Sequence, residues 1–251
     1  MKKSIFTIAI LVTMLTISIL SNYAFAGIGL TFATGGVIIS TDRMRAIYER
    51  AKKDPDNAGK IIVPHYIRIE QAVTNGKTKY SFLITRDSNS DTVTEQKLDR
   101  NDKFLACSMG LFLMKRLSTK LGGEVLYTFP NTKTLTEFAD ISTTFLGKDL
   151  ECFYNGFITI KVGQTIYLEK FATQQFREVP ITQQSDATTQ NSKTTNSGMV
   201  DLTPQVLLNG DLKTSIDLEA PVDAGALLAH TTASTKNYLV IMSYGFLITT
   251  R

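Results

Sequence analysis

The chain is expected to fold as a mainly β protein, an antiparallel jelly roll or sandwich, led by an N-terminal apolar helix and one short amphipathic helix. Three observations carry this expectation. From residue 60 onward apolar side chains recur with period two, over about ten short runs. The runs are punctuated by Gly, Pro and Asn at uneven intervals. Strand runs do not alternate regularly with helical ones, as a parallel sheet would require.

Residues 1–41 are the first of three parts. After Lys2 and Lys3 there is no charged side chain until Asp42, and residues 5–20 are a nearly unbroken apolar run. A run that is apolar on all sides does not fit a soluble surface helix. Ala24-x-Ala26 before Gly27 matches a signal-peptide cleavage site. Residues 5–26 are equally long enough for a membrane helix of about 20 residues. If the segment is retained, Ile5, Ile10, Leu15, Leu20 and Phe25 are the expected lipid contacts. Residues 27–39 carry four glycines and no charge, so they read as a tether or a first strand. Phe32 stands where a G-x-G-x-x-G phosphate loop needs its third glycine.

Residues 42–59 form the second part. Met44, Ile47, Tyr48 and Ala51 fall at i, i+3, i+4 and i+7 and give a helix one apolar face. Ser40 or Thr41 is the cap, and Asp54-Pro55 with Gly59 stops the helix. Arg43, Arg45, Arg50, Lys52 and Lys53 decorate the remaining surface. That surface suits either an anionic membrane or plain solvent above a stripe packed on the body.

Residues 60–251 are the β-rich part. Ile61, Val63, His65, Ile67 and Ile69 alternate with Ile62, Pro64, Tyr66, Arg68 and Glu70, a half-buried strand whose proline belongs at a sheet edge. Asn75-Gly76 signals a hairpin into the strand that carries Tyr80, Phe82 and Ile84. Further strands are expected at 104–115 and 124–129, with a weak helical pattern at 135–145. Tyr154-Asn155-Gly156 precedes 157–162, and Gly163-Gln164 turns into 165–168. Residues 183–198 are mostly Thr, Gln, Ser and Asn, too polar to bury. Strands at 206–208 and 215–218 flank a turn, and 237–249 is a long closing strand.

Composition narrows the chemistry. Apolar residues make up 43% of the chain, enough for a core. The net charge is +4, and without Lys2 and Lys3 it is 25 basic against 23 acidic residues, or +2. That gives no clustered footprint for nucleic acid. Cys107 and Cys152 stand in apolar runs. They fit either a disulfide, adding about 4 kcal/mol in the chain-entropy model, or two separate buried thiols. His65 and His230 are the two histidines, and neither has a catalytic neighbour in sequence. There is no G-x-S-x-G elbow, and Gln71 breaks the P-loop spacing ahead of Gly76-Lys77-Thr78. No C-x-x-C, H-E-x-x-H or calcium-loop spacing occurs, and 87–91 lacks the glycine and distal Glu of an EF-hand. No catalytic residue, metal site or cofactor is therefore expected.

Gly76-Lys77-Thr78-Lys79-Tyr80-Ser81-Phe82, Tyr154-Asn155-Gly156, Phe176-Arg177-Glu178-Val179-Pro180 and the stretch from Leu202-Thr203-Pro204 to Leu208-Asn209-Gly210 give residues 60–250 a loose texture. It resembles that of jelly-roll capsid proteins from tailless, membrane-containing bacteriophages. The resemblance implies a self-associating virion shell component with its N-terminus at the membrane beneath the shell. The other expectation is an exported bacterial envelope binding protein, cleaved after Ala26 and periplasmic or extracellular.

Overall fold

A computed structural model describes residues 41–86, 94–117, 125–129, 150–178, 198–223, 230–232 and 235–250. The expected lipid contacts Ile5, Ile10, Leu15, Leu20 and Phe25, the helical pattern at 135–145 and most of the polar stretch at 183–198 lie outside these residues.

The amphipathic helix α1 spans Thr41–Lys53. Its buried stripe is Met44, Ile47 and Ala51, with Tyr48 half-buried. Asp42 sits in its first turn and Arg50, Lys52 and Lys53 in its last, the arrangement the helix dipole favours. The stop is made by Asp54, whose carboxylate accepts from the Asp56 amide at 3.0 Å. Asn57 donates to the Ala51 carbonyl at 2.9 Å, satisfying one of the acceptors a helix end leaves open.

Ten strands follow among the described residues: β1 (Ile61–Ala72), β2 (Lys79–Leu83), β3 (Lys103–Leu117), β4 (Leu126–Tyr127), β5 (Phe157–Val162), β6 (Thr165–Ala172), β7 (Met199–Asn209), β8 (Thr214–Glu219), β9 (His230–Thr232) and β10 (Thr235–Thr249). They form two antiparallel sheets. The larger runs β1-β10-β3, with β4 and β7 both on the far side of β3 and β9 on β10. The smaller runs β2-β8-β5-β6. The pairing is nested: β1 with β10, β2 with β8, β3 with β7, β5 with β6.

The sheets pack face to face as a β-sandwich. Tyr80, Phe82, Ile158, Ile160, Ile216 and Leu218 of the smaller sheet meet Ile67, Ile69, Phe104, Leu111, Leu239 and Ile241 of the larger in one cluster. Tyr154, on the short 3-10 turn before β5, is fully buried with its hydroxyl 3.2 Å from both the Leu111 and Tyr127 carbonyl oxygens. The smaller sheet is solvated on its other face, and β2 alternates strictly between exposed and buried. The larger sheet buries side chains on both faces. On its outer side one cluster joins α1 to Cys107 and Phe246, and a second consists of strand residues around Phe112, Met114, Val240 and Tyr244. This accounts for the near-continuous apolar reading of β3 and β10.

The sheet edges are interrupted. β1 carries Pro64, and beyond it Arg68 and Gln96 exchange backbone bonds of 2.9 and 2.8 Å, so residues near 96 cover part of that edge. β6 pairs with β5 through two register shifts and holds Lys170 at φ 46°.

Two local expectations are corrected. Asn75-Gly76 forms a turn with Gly76 at φ 70°, yet it closes no hairpin: β1 pairs with β10 and β2 with β8, so the turn carries the chain between sheets. The link from β7 to β8 is the same kind of corner. The strand expected at 124–129 is reduced to Leu126–Tyr127.

Candidate functional site

The most organised polar chemistry lies on the outer face of the larger sheet, in two places. The first is the seat of α1. The β3–β7 ladder slips between Ala106 and Ser108, where the facing residues jump from Val206 to Asp201. Arg43 fills this irregularity. Its guanidinium donates to the Cys107 carbonyl at 3.2 Å and the Leu202 carbonyl at 2.9 Å, and pairs with Asp201 at 2.8 Å. Tyr48 packs on Phe246 at 5.6 Å between ring centroids. The helix stripe is thus committed to the sandwich, and Arg45, Glu49, Arg50, Lys52 and Lys53 face outward.

Cys107 lies beneath α1. Burial pushes its thiol up to about 12, against a smaller opposing effect of Arg43. It is protonated at neutral pH and a poor nucleophile. Cys152 belongs to the core between the sheets. The two thiols sit in different clusters and no disulfide joins them.

The second place is a buried ion cluster at the opposite end of the same face. Glu70 has 1% of its side chain exposed and accepts from two guanidinium groups, Arg116 at 2.6 Å and Arg68 at 2.8 Å. The Thr94 hydroxyl adds a bond of 2.7 Å. Glu95 accepts from the Glu70 amide at 3.0 Å and pairs with Lys97 at 3.2 Å. Arg116 also lies over the Tyr238 ring, 4.8 Å from its centroid. Arg68 places Nε and Nη2 on one oxygen of the Glu70 carboxylate and Arg116 places Nη2 on the other, charge-assisted bonds of the strong kind. The cluster fastens residues 94–97 to β1 and β3. In the sequence Arg68 and Glu70 read as the wet side of a half-buried strand; the signal for the cluster is Arg116, which closes an apolar strand on the same face.

The remaining candidates do not converge. His65 accepts from the Gln96 amide at 3.3 Å, a bond that requires its neutral ring. Desolvation holds its pKa below the usual value, partly opposed by the Asp102 charge. His230 belongs to β9, and its backbone pairs with Lys236. Gly76 donates its amide to Asp223 at 3.1 Å, and Lys77 lies over the Tyr80 ring at 4.8 Å, so this corner is a structural joint. Among the described residues no group of His, Cys, Asp and Glu could hold a metal ion, and no helix is long and apolar enough to cross a membrane.

Comparison with known proteins adds no relative: no family model, no curated protein and no solved structure matches this chain.

Proposed function

We propose that the chain is a non-enzymatic structural protein, a jelly-roll shell component of a virion whose N-terminal segment meets a lipid membrane. The observation that carries this reading is the strand order. With β4 and β9 set aside as short additions, eight strands pair first with last: β1 with β10, β2 with β8, β3 with β7, β5 with β6. The resulting sheets, β1-β10-β3-β7 and β2-β8-β5-β6, have the order of a hairpin of eight strands rolled into two layers, the architecture common to capsid and lectin domains. A fold alone does not fix function. Support for a shell over a lectin comes from the 41-residue lead free of charge after Lys3, attached to a helix that is itself pinned to the sandwich by Arg43.

Self-association is the test. Purified full-length chain at high concentration, with and without lipid, is expected to sediment as oligomers and to form particles visible by electron microscopy. Each subunit contact in such an assembly buries on the order of 1,200–2,000 Å². A strict monomer with no particles under any condition refutes the proposal. The Ala24-x-Ala26 pattern favours the second reading, an exported envelope binding protein. The intact mass from the native source separates the two, because a chain beginning at Gly27 has lost its membrane segment.

A further inference from the structure

Ten large apolar side chains are exposed among the described residues, and seven of them gather at one end of the sandwich. Leu83, Ser215, Lys161 and Ile166 stand in register across the smaller sheet at that end. Tyr167 follows Ile166, and Leu212 lies in the link that joins β7 to β8 beside the β5–β6 turn. The larger sheet brings the start of β1, with Ile61 and Val63, and the end of β7, with Leu207, to the same end. Leu83, Ile166 and Tyr167 are about half exposed, at 50, 49 and 51%.

The exposed charges there include Asp211 in the β7–β8 link, outnumbered by cations. Lys161 and Lys213 are exposed beside these apolar tips, and Arg100 is exposed on the turn before β3. Among the described residues no carboxylate is paired with any of the three. At the other end of the smaller sheet two cations are matched, Lys79 with Glu219 at 3.0 Å and Arg177 with Glu151 at 3.0 Å, while Lys77 lies over the Tyr80 ring. Apolar tips alternating with unmatched cations complement a layer of anionic headgroups over hydrocarbon, where lysine stems reach outward while aliphatic and tyrosine side chains dip inward.

From this we infer that the end of the sandwich formed by Leu83, Lys161, Ile166, Tyr167, Leu212 and Lys213 docks on an anionic lipid bilayer. The inference rests on the membrane contact of the proposed function and specifies which part of the folded body faces it. Chain length permits both contacts at once. Helix α1 is about 20 Å long, and the fourteen residues 27–40 span at most about 50 Å.

The test uses the full chain with one fluorophore at a time, on Ile166→Cys or on Val222→Cys at the opposite end, the native thiols being buried. Each is mixed with vesicles of equimolar phosphatidylglycerol and phosphatidylcholine that carry a nitroxide lipid. The expected result is loss of emission from position 166 and none from 222, with the loss absent on pure phosphatidylcholine. Chain that floats with vesicles but loses no emission at 166, or loses it equally at both sites, overturns the docking end while sparing the membrane contact of the lead. Chain that floats with no vesicle overturns both. Shielding of the 166 label without lipid assigns this end to a second copy of the chain and also overturns the inference.

Discussion

Replacing Glu70 by alanine removes a carboxylate that answers both Arg68 and Arg116. Its side chain is 1% exposed and that of Arg116 6%, so water does not replace what is lost. Two guanidinium groups and the Thr94 hydroxyl lose an acceptor 2.6–2.8 Å away. Breaking a buried pair from one side costs roughly 3–5 kcal/mol, because the partner charge stays buried. Against a total stability of about 5–15 kcal/mol, that is a large fraction. With a urea dependence of about 2 kcal/mol per M, the midpoint is expected to fall by roughly 2 M with an unchanged slope. The companion variant Arg68→Met/Glu70→Leu/Arg116→Met removes all three charges and is expected to recover most of the loss, as apolar replacement of a whole buried ion cluster is often neutral. A Glu70→Ala midpoint within about 0.5 M of the parent, at the same slope, would show that the cluster is solvated and the burial argument mistaken.

Arg43→Ala is expected to loosen α1 without unfolding the sandwich, so that Cys107 reacts with a thiol reagent at least tenfold faster while Cys152 keeps its rate; equal acceleration of both thiols means global destabilisation instead. His65 has a folded-state pKa below its usual 6.5. The unfolded chain therefore binds more protons near and below that pH, and stability is complete above 6.5 and declines as pH falls. His65→Gln is expected to flatten that decline in urea midpoints measured between about pH 5 and 7, and an unchanged profile assigns it to other groups. Tyr154→Phe leaves the Leu111 and Tyr127 carbonyls without the buried hydroxyl and is expected to cost about 1–3 kcal/mol, read from the thermal midpoint. Gly245→Ala puts a Cβ against the Leu105 carbonyl oxygen at the β10 irregularity, so soluble expression is expected to drop sharply; a normal yield with native thermal stability means that the irregularity relaxes freely.

Much of this architecture was legible because it is local. The helix stripe at Met44, Ile47 and Ala51 is a matter of spacing, as is the exposed-buried alternation of β2, and Pro64 cannot donate to a ladder and so marks an edge strand. Partner choice was not legible. Asn75-Gly76 has hairpin chemistry, but the strands on either side are claimed by β10 and β8, more than a hundred residues away, through the burial of Ile69 and Phe82 in the common core. The buried ion cluster was hidden for a related reason. Arg68 and Glu70 look like solvated strand positions until Arg116 and residues 94–97 are brought over them from distant parts of the chain. That Cys107 and Cys152 form no disulfide follows from the side of the larger sheet on which each lies, and apolar neighbours alone could not distinguish one side from the other.

The interrupted edges have a consequence for material behaviour. A continuous open edge recruits further strands, and growth by that route ends in fibres that do not come apart. Here Pro64 with the cover near Gln96 obstructs one margin, and the slipped register of β6 with Lys170 obstructs another. If copies associate as proposed above, contacts at these two margins fall to side chains and loops rather than to shared strands. In the shell proposed above, subunits joined this way would separate without breaking shared strands.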